Sequence, residues 1–163
     1  MGPKKNCGLP GRDSARAELL AELALQPLSI SGLAELLELT ARMLHSRGHA
    51  DDLFPAQWAA LRYFSRAPAS QRTASALARF QGLANGPVSR TVRTLVQKGL
   101  LTKAAEQPRG RAELLEVTNA GRAVLARDPA LAVEAVISEL PPSEQACFAR
   151  SLELILRRLS EHR

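Results

Sequence analysis

One segment of 17 residues, numbers 85–101, restricts the folds open to this chain because its two faces have opposite character. It reads NGPVSRTVRTLVQKGLL. One face of a helix over this segment would carry Ser89, Arg90, Arg93 and Gln97, with no acid among them to pair the arginines. The segment therefore predicts a helix that is anchored by one face and presents free cations on the other. The anchoring face has apolar residues at helical spacing, namely Val88, Val92, Leu95 and Val96.

Basic residues are concentrated in the central third of the chain, around this helix. Residues 60–111 contain a single acid, Glu106, although the whole chain has 16 acids and a formal net charge of +6. The surface of a soluble domain normally mixes the two signs. The imbalance therefore favours a surface that binds a polyanion over an ordinary solvated face. The ten basic residues of the segment are Arg62, Arg66, Arg72, Arg79, Arg90, Arg93, Lys98, Lys103, Arg109 and Arg111.

Helices are predicted on both sides of the segment. Apolar spacing and the positions of Pro and Gly indicate helices at about 13–26, 28–47, 55–66, 73–80, 118–127, 129–140 and from 141 onward, after a disordered tail at 1–12. Asp128 and Pro129 either break or kink the helical run that contains them. Thr73 and Thr118 are expected to cap their helices. The side chains expected inward before the cationic helix are Trp58, Leu61, Phe64, Leu77 and Phe80.

A β-hairpin is predicted after the cationic helix. Residues 100–106 and 111–117 have strand length, and the QPRG sequence between them signals a turn. Helix, helix, Gly-containing turn, helix and hairpin is the order of a winged helix-turn-helix. The predicted fold class is mainly α, with a small β-hairpin wing. The major groove of DNA admits one helix, so Ser89, Arg90 and Arg93 are expected to face it, while Arg109 and Arg111 enter the minor groove.

Three runs of sequence resemble the MarR family of bacterial transcription regulators. They are LFPAQWAALRYF, SALARFQGLANGPVSRTVRTLVQKGLL and LLEVTNAGRAVL, which together span about Leu53 to Leu125. The resemblance implies a homodimer joined by helices at 13–50 and 118–163, with a DNA-binding lobe at 51–117. It also implies an inverted-repeat site in double-stranded DNA, repression, and release by a small-molecule effector.

The sequence departs from the family pattern at two places. The family's wing commonly carries an Asp-Arg-Arg-like cluster, and the corresponding positions here are Arg109, Gly110 and Arg111. In the family's cluster the aspartate holds an arginine in place, and this contact is expected to be missing here. The recognition helix begins with Gly86 and Pro87, which have no side-chain donor, so Asn85 is expected to compensate by pairing with adenine.

Two histidines invite a metal-binding interpretation. His45 and His49 are four residues apart, a spacing that can hold a metal on one helix face, and Asp51 and Asp52 follow closely. Gly48 is expected to end the helix between the histidines, so we favour an exposed helix end and expect no metal or cofactor.

The two cysteines, Cys7 and Cys147, lack the spacing of a metal or redox pair. Cys147 is expected to be a small buried hydrophobe near the dimer seam. A redox-responsive regulator acting through Cys147 stays open as an alternative.

Other function classes have little support in the sequence. No apolar run approaches the length that spans a bilayer, and the N-terminus lacks the apolar core of a signal peptide, so a cytoplasmic protein is expected. We expect no enzyme, because neither a Gly-rich phosphate loop nor a nucleophile–base arrangement is visible. The remaining alternative is a winged-helix interaction module that binds a protein or a non-specific polyanion.

Overall fold

The structure is a computed structural model that describes residues 29–107 and 113–161. The expected tail at 1–12 and helix at 13–26 lie outside the described residues. The chain divides into two compact units between Met43 and Leu44. The described part has a 3₁₀ turn (Ala69–Gln71) and, in order, α1 (Ile30–Arg47), α2 (Pro55–Arg66), α3 (Ala74–Gln81), α4 (Asn85–Gln97), β1 (Leu101–Lys103), β2 (Leu115–Val117), α5 (Asn119–Leu125), α6 (Leu131–Ser138) and α7 (Pro142–Glu161). The predicted fold class, mainly helical with a small hairpin wing, is confirmed.

Helix α1 begins where Ser29 caps it. The Ser29 hydroxyl accepts a hydrogen bond from the Gly32 backbone N–H at 3.0 Å, which satisfies one of the free donors of the first turn. Glu38 and Arg42 form an exposed ion pair one helical turn apart. The helix predicted at 28–47 is confirmed, and no side chain of α1 is buried.

The core of the second unit is formed by α2, α3, α4 and the hairpin. The anchoring stripe of α4 is buried as predicted at Val88, Val92 and Leu95. Val96 is 37% exposed, so the prediction was wrong there: Val96 lies at the edge of the stripe, beside a groove. From the other elements the core takes Trp58, Leu61, Phe64, Leu77, Leu100, Leu101, Leu115 and Val117.

Phe80 was also predicted to point inward and does not. Its side chain is 74% exposed. Leu77 already fills the buried face of α3, and Phe80 lies on the neighbouring face, where its ring contacts the Tyr63 ring with centroids 5.1 Å apart. The turn to α4 follows at once, because Gly82 ends α3 in the left-handed conformation at φ +62°, which glycine adopts without steric cost.

The wing is a short antiparallel hairpin. Leu101 pairs with Val117 and Lys103 with Leu115, so the strands are shorter than the predicted 100–106 and 111–117. The backbone N–H of Leu115 also donates to the Arg72 carbonyl at 2.9 Å. The hairpin is thereby tied to the segment that leads into α3.

Helix α5 begins at a Thr cap and leaves the hairpin in close contact with it. The Thr118 hydroxyl accepts from the Gly121 N–H at 3.0 Å, as predicted from the sequence. A Cβ on Gly121 would lie 2.3 Å from the Leu100 carbonyl oxygen, so only glycine fits this approach.

The helical run is broken at Asp128 and Pro129, not merely kinked. Helix α5 ends at Leu125, and α6 begins at Leu131. The Asp128 carboxylate accepts from the Ala130 N–H at 2.8 Å, which stabilises the start of α6. Neither α6 nor α7 has a buried side chain. None of the described helices is both long and apolar enough to cross a membrane.

Candidate functional site

Helix α4 presents its polar face to solvent. Asn85, Arg90 and Arg93 are exposed, and Ser89 is half-buried. Among the described residues, neither guanidinium group has a carboxylate or hydrogen-bond partner. Five donor N–H groups on each guanidinium are therefore free for an external acceptor.

A groove of about 410 Å³ runs beside this face, and we call it the α3–α4 groove. Hydroxyls from the start of α3, polar groups of α4 and one carboxylate from the wing face the same space. Donors dominate the lining, as a surface that receives phosphates or base edges requires. The polar side chains that line it are Thr73, Ser75, Asn85, Ser89, Arg93 and Glu113.

The start of α4 is open. No side chain caps it at Ala84, and a Cβ on Gly86 would have no heavy atom within 4 Å. Asn85 is the first residue of the helix and borders the groove. Its pairing with a base is a prediction.

The charge pattern of the sequence overstated the free positive charge. Four cations of the segment 60–111 pair with acids from outside it, and folding brings three of these acids from at least 46 residues away in the sequence. The pairs are Arg62–Asp128 at 2.7 Å, Arg66–Glu134 at 2.6 Å, Lys98–Asp52 at 2.6 Å and Lys103–Glu113 at 2.5 Å. Among the described residues, the arginines of the segment without a carboxylate partner are Arg72, Arg79 and the two of α4.

Lys98 also changes the titration of its partner. It donates to the Asp52 carboxylate and to the Asp52 carbonyl, each at 2.6 Å. The hydrogen bond from Lys98, and secondly its charge, lower the pKa of Asp52 below the ordinary value of 3.8. The contact ties the loop before α2 to the end of α4.

Residues 108–112, with Arg109 and Arg111, lie outside the described residues. Immediately before them, Gln107 bridges the residues that flank the two strands. Its amide N–H groups donate to the Ala104 carbonyl at 2.8 Å and to the Leu114 carbonyl at 2.9 Å, and its oxygen accepts from the Leu114 N–H at 2.9 Å. Sequence reasoning missed this residue, because a glutamine before a turn has no distinctive pattern.

A second cavity, of about 840 Å³, lies between α2 and α3, and we call it the α2–α3 cavity. Its wall includes the Tyr63 and Phe80 rings, and Arg62, Arg66 and Arg79 border it. Arg79 has no ion-pair partner among the described residues. Trp58 and Phe64, which were expected to point inward, belong to the core.

The histidines and the cysteine show no assembled site in the described part of the chain. His45 is on the last turn of α1, and Gly48 follows the helix end, as predicted. The His49 ring contacts the His45 and Phe54 rings, and no group of three metal-ligating side chains occurs among the described residues. Cys147 was expected to be buried, but it is exposed in the single chain, because α7 packs none of its side chains into the core.

Comparisons with known proteins agree with this geometry. The MarR family model matches residues 51–112, the segment that contains the groove, whereas no curated protein sequence matches the chain. A MepR–DNA complex from S. aureus has a similar fold, with a TM-score of 0.60 at 18% identity, covering 82% of this chain and 99% of that one. The PcaV regulator of Streptomyces coelicolor with its natural ligand has a TM-score of 0.55 at 25% identity, covering 85% and 94%. The apo form of MarR from E. coli has a TM-score of 0.55 at 19% identity, covering 80% and 99%.

Proposed function

This chain belongs through residues 51–112 to the MarR family of transcription regulators, and we propose on that premise that it is a sequence-specific, homodimeric repressor. In this proposal it binds an inverted repeat in double-stranded DNA, and a small molecule releases it.

The free guanidinium groups of Arg90 and Arg93 carry the proposal. They lie on a helix that is anchored by three buried apolar side chains, so they are held on a rigid element. Arginine donates two hydrogen bonds to a guanine edge or binds a phosphate, and Ser89 and Asn85 supply further groups to the same face. A helix with this arrangement fits the major groove. MepR, a protein with a similar fold, has a crystal structure in complex with DNA.

Dimerisation is supported by the apolar side chains of the terminal helices. In α7, Leu156 and Leu159 are exposed in the single chain, and Leu33 of α1 is exposed as well. Apolar side chains in such numbers on surface helices are typical of a protein–protein interface. A two-fold dimer would hold its two α4 helices about 34 Å apart, one turn of DNA.

The α2–α3 cavity is the proposed effector site. It borders α3 at Arg79 and Phe80, and α3 also lines the α3–α4 groove through Ser75. A molecule bound in the cavity therefore contacts the helix that helps to shape the DNA-facing surface. The ligand complex of PcaV shows that a relative of this fold binds a small molecule.

Selection from a library of randomised duplexes tests the DNA-binding part of the proposal. The purified full chain is expected to enrich one motif made of two inverted half-sites, with centres about one helical turn apart. Light scattering should give the mass of a dimer, both free and with one duplex bound. A single half-site, or a monomer on the DNA, would contradict the proposed symmetry.

The alternative is a winged-helix module that binds a protein or any polyanion. The open start of α4 at Gly86 is the observation that favours it, because fewer side chains are available there to read bases. It predicts that the library yields no motif, and that heparin and unrelated duplex compete equally well.

A further inference from the structure

We propose that Glu113 opposes sequence-independent attachment of duplex DNA and so raises the specificity of the α3–α4 groove. The inference rests on the proposed DNA-binding function. Glu113 is the carboxylate among the described residues that line this groove, where it shares the space with Asn85, Ser89 and Arg93. In the sequence it lies just beyond the basic segment 60–111, so only the fold brings it to the cationic face.

Glu113 also holds a cation. Its carboxylate accepts from the Lys103 ammonium at 2.5 Å, although both side chains are largely exposed. A lysine on the wing would otherwise be free to neutralise a phosphate. Each phosphate neutralised adds about 0.9 to the slope of log affinity against log salt concentration. The ion pair therefore removes one such contact from the electrostatic part of binding.

The two kinds of DNA complex respond differently to this carboxylate. Non-specific binding depends almost wholly on phosphates near cations, at any register. In a specific complex base edges occupy the groove, and amino groups of cytosine or adenine can donate to a carboxylate. Glu113 thus repels the backbone while it tolerates base edges, and a repulsive element of this kind raises specificity by weakening the wrong complex.

Glu116 offers a matched control on the same hairpin. It is the exposed middle residue of β2, and it lines a different groove, together with Arg72 and Ala104. Replacing either glutamate by glutamine changes the net charge equally. A difference between the two variants therefore reports on position and not on total charge.

The experiment measures dissociation constants of the full chain for a library-selected duplex and for an unrelated duplex, over a range of salt concentrations. Glu113→Gln is expected to bind the unrelated duplex about fivefold more tightly, with a salt slope steeper by about 0.9, and to bind the selected duplex less than about twofold more tightly. Glu116→Gln should leave the ratio of the two affinities unchanged. In the Lys103→Gln/Glu113→Gln double variant the added slope should disappear.

Three results would overturn the inference. One is a Glu113→Gln variant whose affinity rises equally for both duplexes. Another is a Glu116→Gln variant that changes the ratio of the two affinities as much as Glu113→Gln does. If the wild-type chain distinguishes no duplex, the proposed function itself fails, and the inference fails with it. Thermal unfolding of each variant checks that the hairpin is intact.

Discussion

Two pairs of arginines in the same basic segment have opposite environments. On α2, Arg62 and Arg66 contact the carboxylates of Asp128, which precedes α6, and of Glu134 within α6. On α4, Arg90 and Arg93 have no such partner among the described residues. The first pair joins helices within the subunit, whereas the second is available for an external anion. Charge density in the sequence indicates a region, but the partners decide what each cation does.

The largest effect on stability is expected at the buried end of the first pair. The Asp128 side chain is 5% exposed, and both of its oxygens lie within 2.9 Å of Arg62 Nη1. Asp128→Ala leaves the guanidinium without its partner and removes the bond to Ala130, so it should lower the free energy of unfolding by about 3 kcal/mol. Urea denaturation measures this loss. If the free energy of unfolding falls by less than an exposed ion pair contributes, the structural role assigned to Arg62 is wrong.

The second pair should show the converse behaviour. Arg93→Ala removes a side chain with no internal partner, so the stability should change little, while binding to the selected duplex weakens by about 1–3 kcal/mol if Arg93 reads a base. Fluorescence anisotropy provides the measurement. Arg157→Ala, on α7, removes an equal charge from another exposed position and serves as the control, provided that light scattering gives this variant the same mass as the wild-type chain. An equal loss on all duplexes would instead identify Arg93 as a phosphate contact.

A substitution at Gln107 tests whether Arg109 and Arg111 contact DNA, as the arginines of α4 are proposed to do. Gln107→Ala removes three hydrogen bonds that hold the base of the wing tip, at a cost of about 1 kcal/mol in stability. If the two arginines predicted to enter the minor groove depend on an ordered hairpin, DNA affinity should fall a few-fold. In an Arg109→Ala/Arg111→Ala background the same change should have no further effect on affinity. A persistent effect there would show that Gln107 acts elsewhere.

The smallest effect concerns Lys98, the paired cation near the end of α4. Because Lys98 lowers the pKa of Asp52 below 3.8, the contact stabilises the fold above that value. The stabilisation is lost as the pH falls through the lowered pKa, and Asp52→Asn should remove this component. The difference in melting temperature between the two proteins, followed from neutral pH into this acid range, measures it. The difference in melting temperature should be small because Asp52 is exposed. If the melting temperatures of the two proteins fail to converge in acid, the stabilising contact is refuted.

The sequence was sufficient for the elements that depend on local patterns. The Thr73 and Thr118 caps and the buried stripe of Val88 and Val92 follow from residue type and helical spacing, and the structure confirms them. The orientation of Phe80 could not be predicted the same way, because α3 is short and its buried face is already formed by Leu77 with Ala76 and Ala78.

The electrostatic part of the site depends on contacts between distant positions. Arg62 and Asp128 are 66 residues apart, and no local spacing relates them. The sequence pattern also did not indicate Glu113 as a groove residue, since position along the chain does not show which groove a hairpin side chain borders. The contacts that Arg90, Arg93 and Asn85 make with DNA stay predictions.

Gly121 has a consequence for how mutational data on this chain should be interpreted. Its hydrogen atom occupies the space beside the Leu100 carbonyl where a methyl group cannot fit. In a genetic screen scored only by reporter output, substitutions at this position would cluster with those of α4, although glycine offers nothing to a base. Pairing such a screen with an abundance assay would separate the two classes, since Gly121 variants would be depleted from the cell while Arg93 variants accumulate normally.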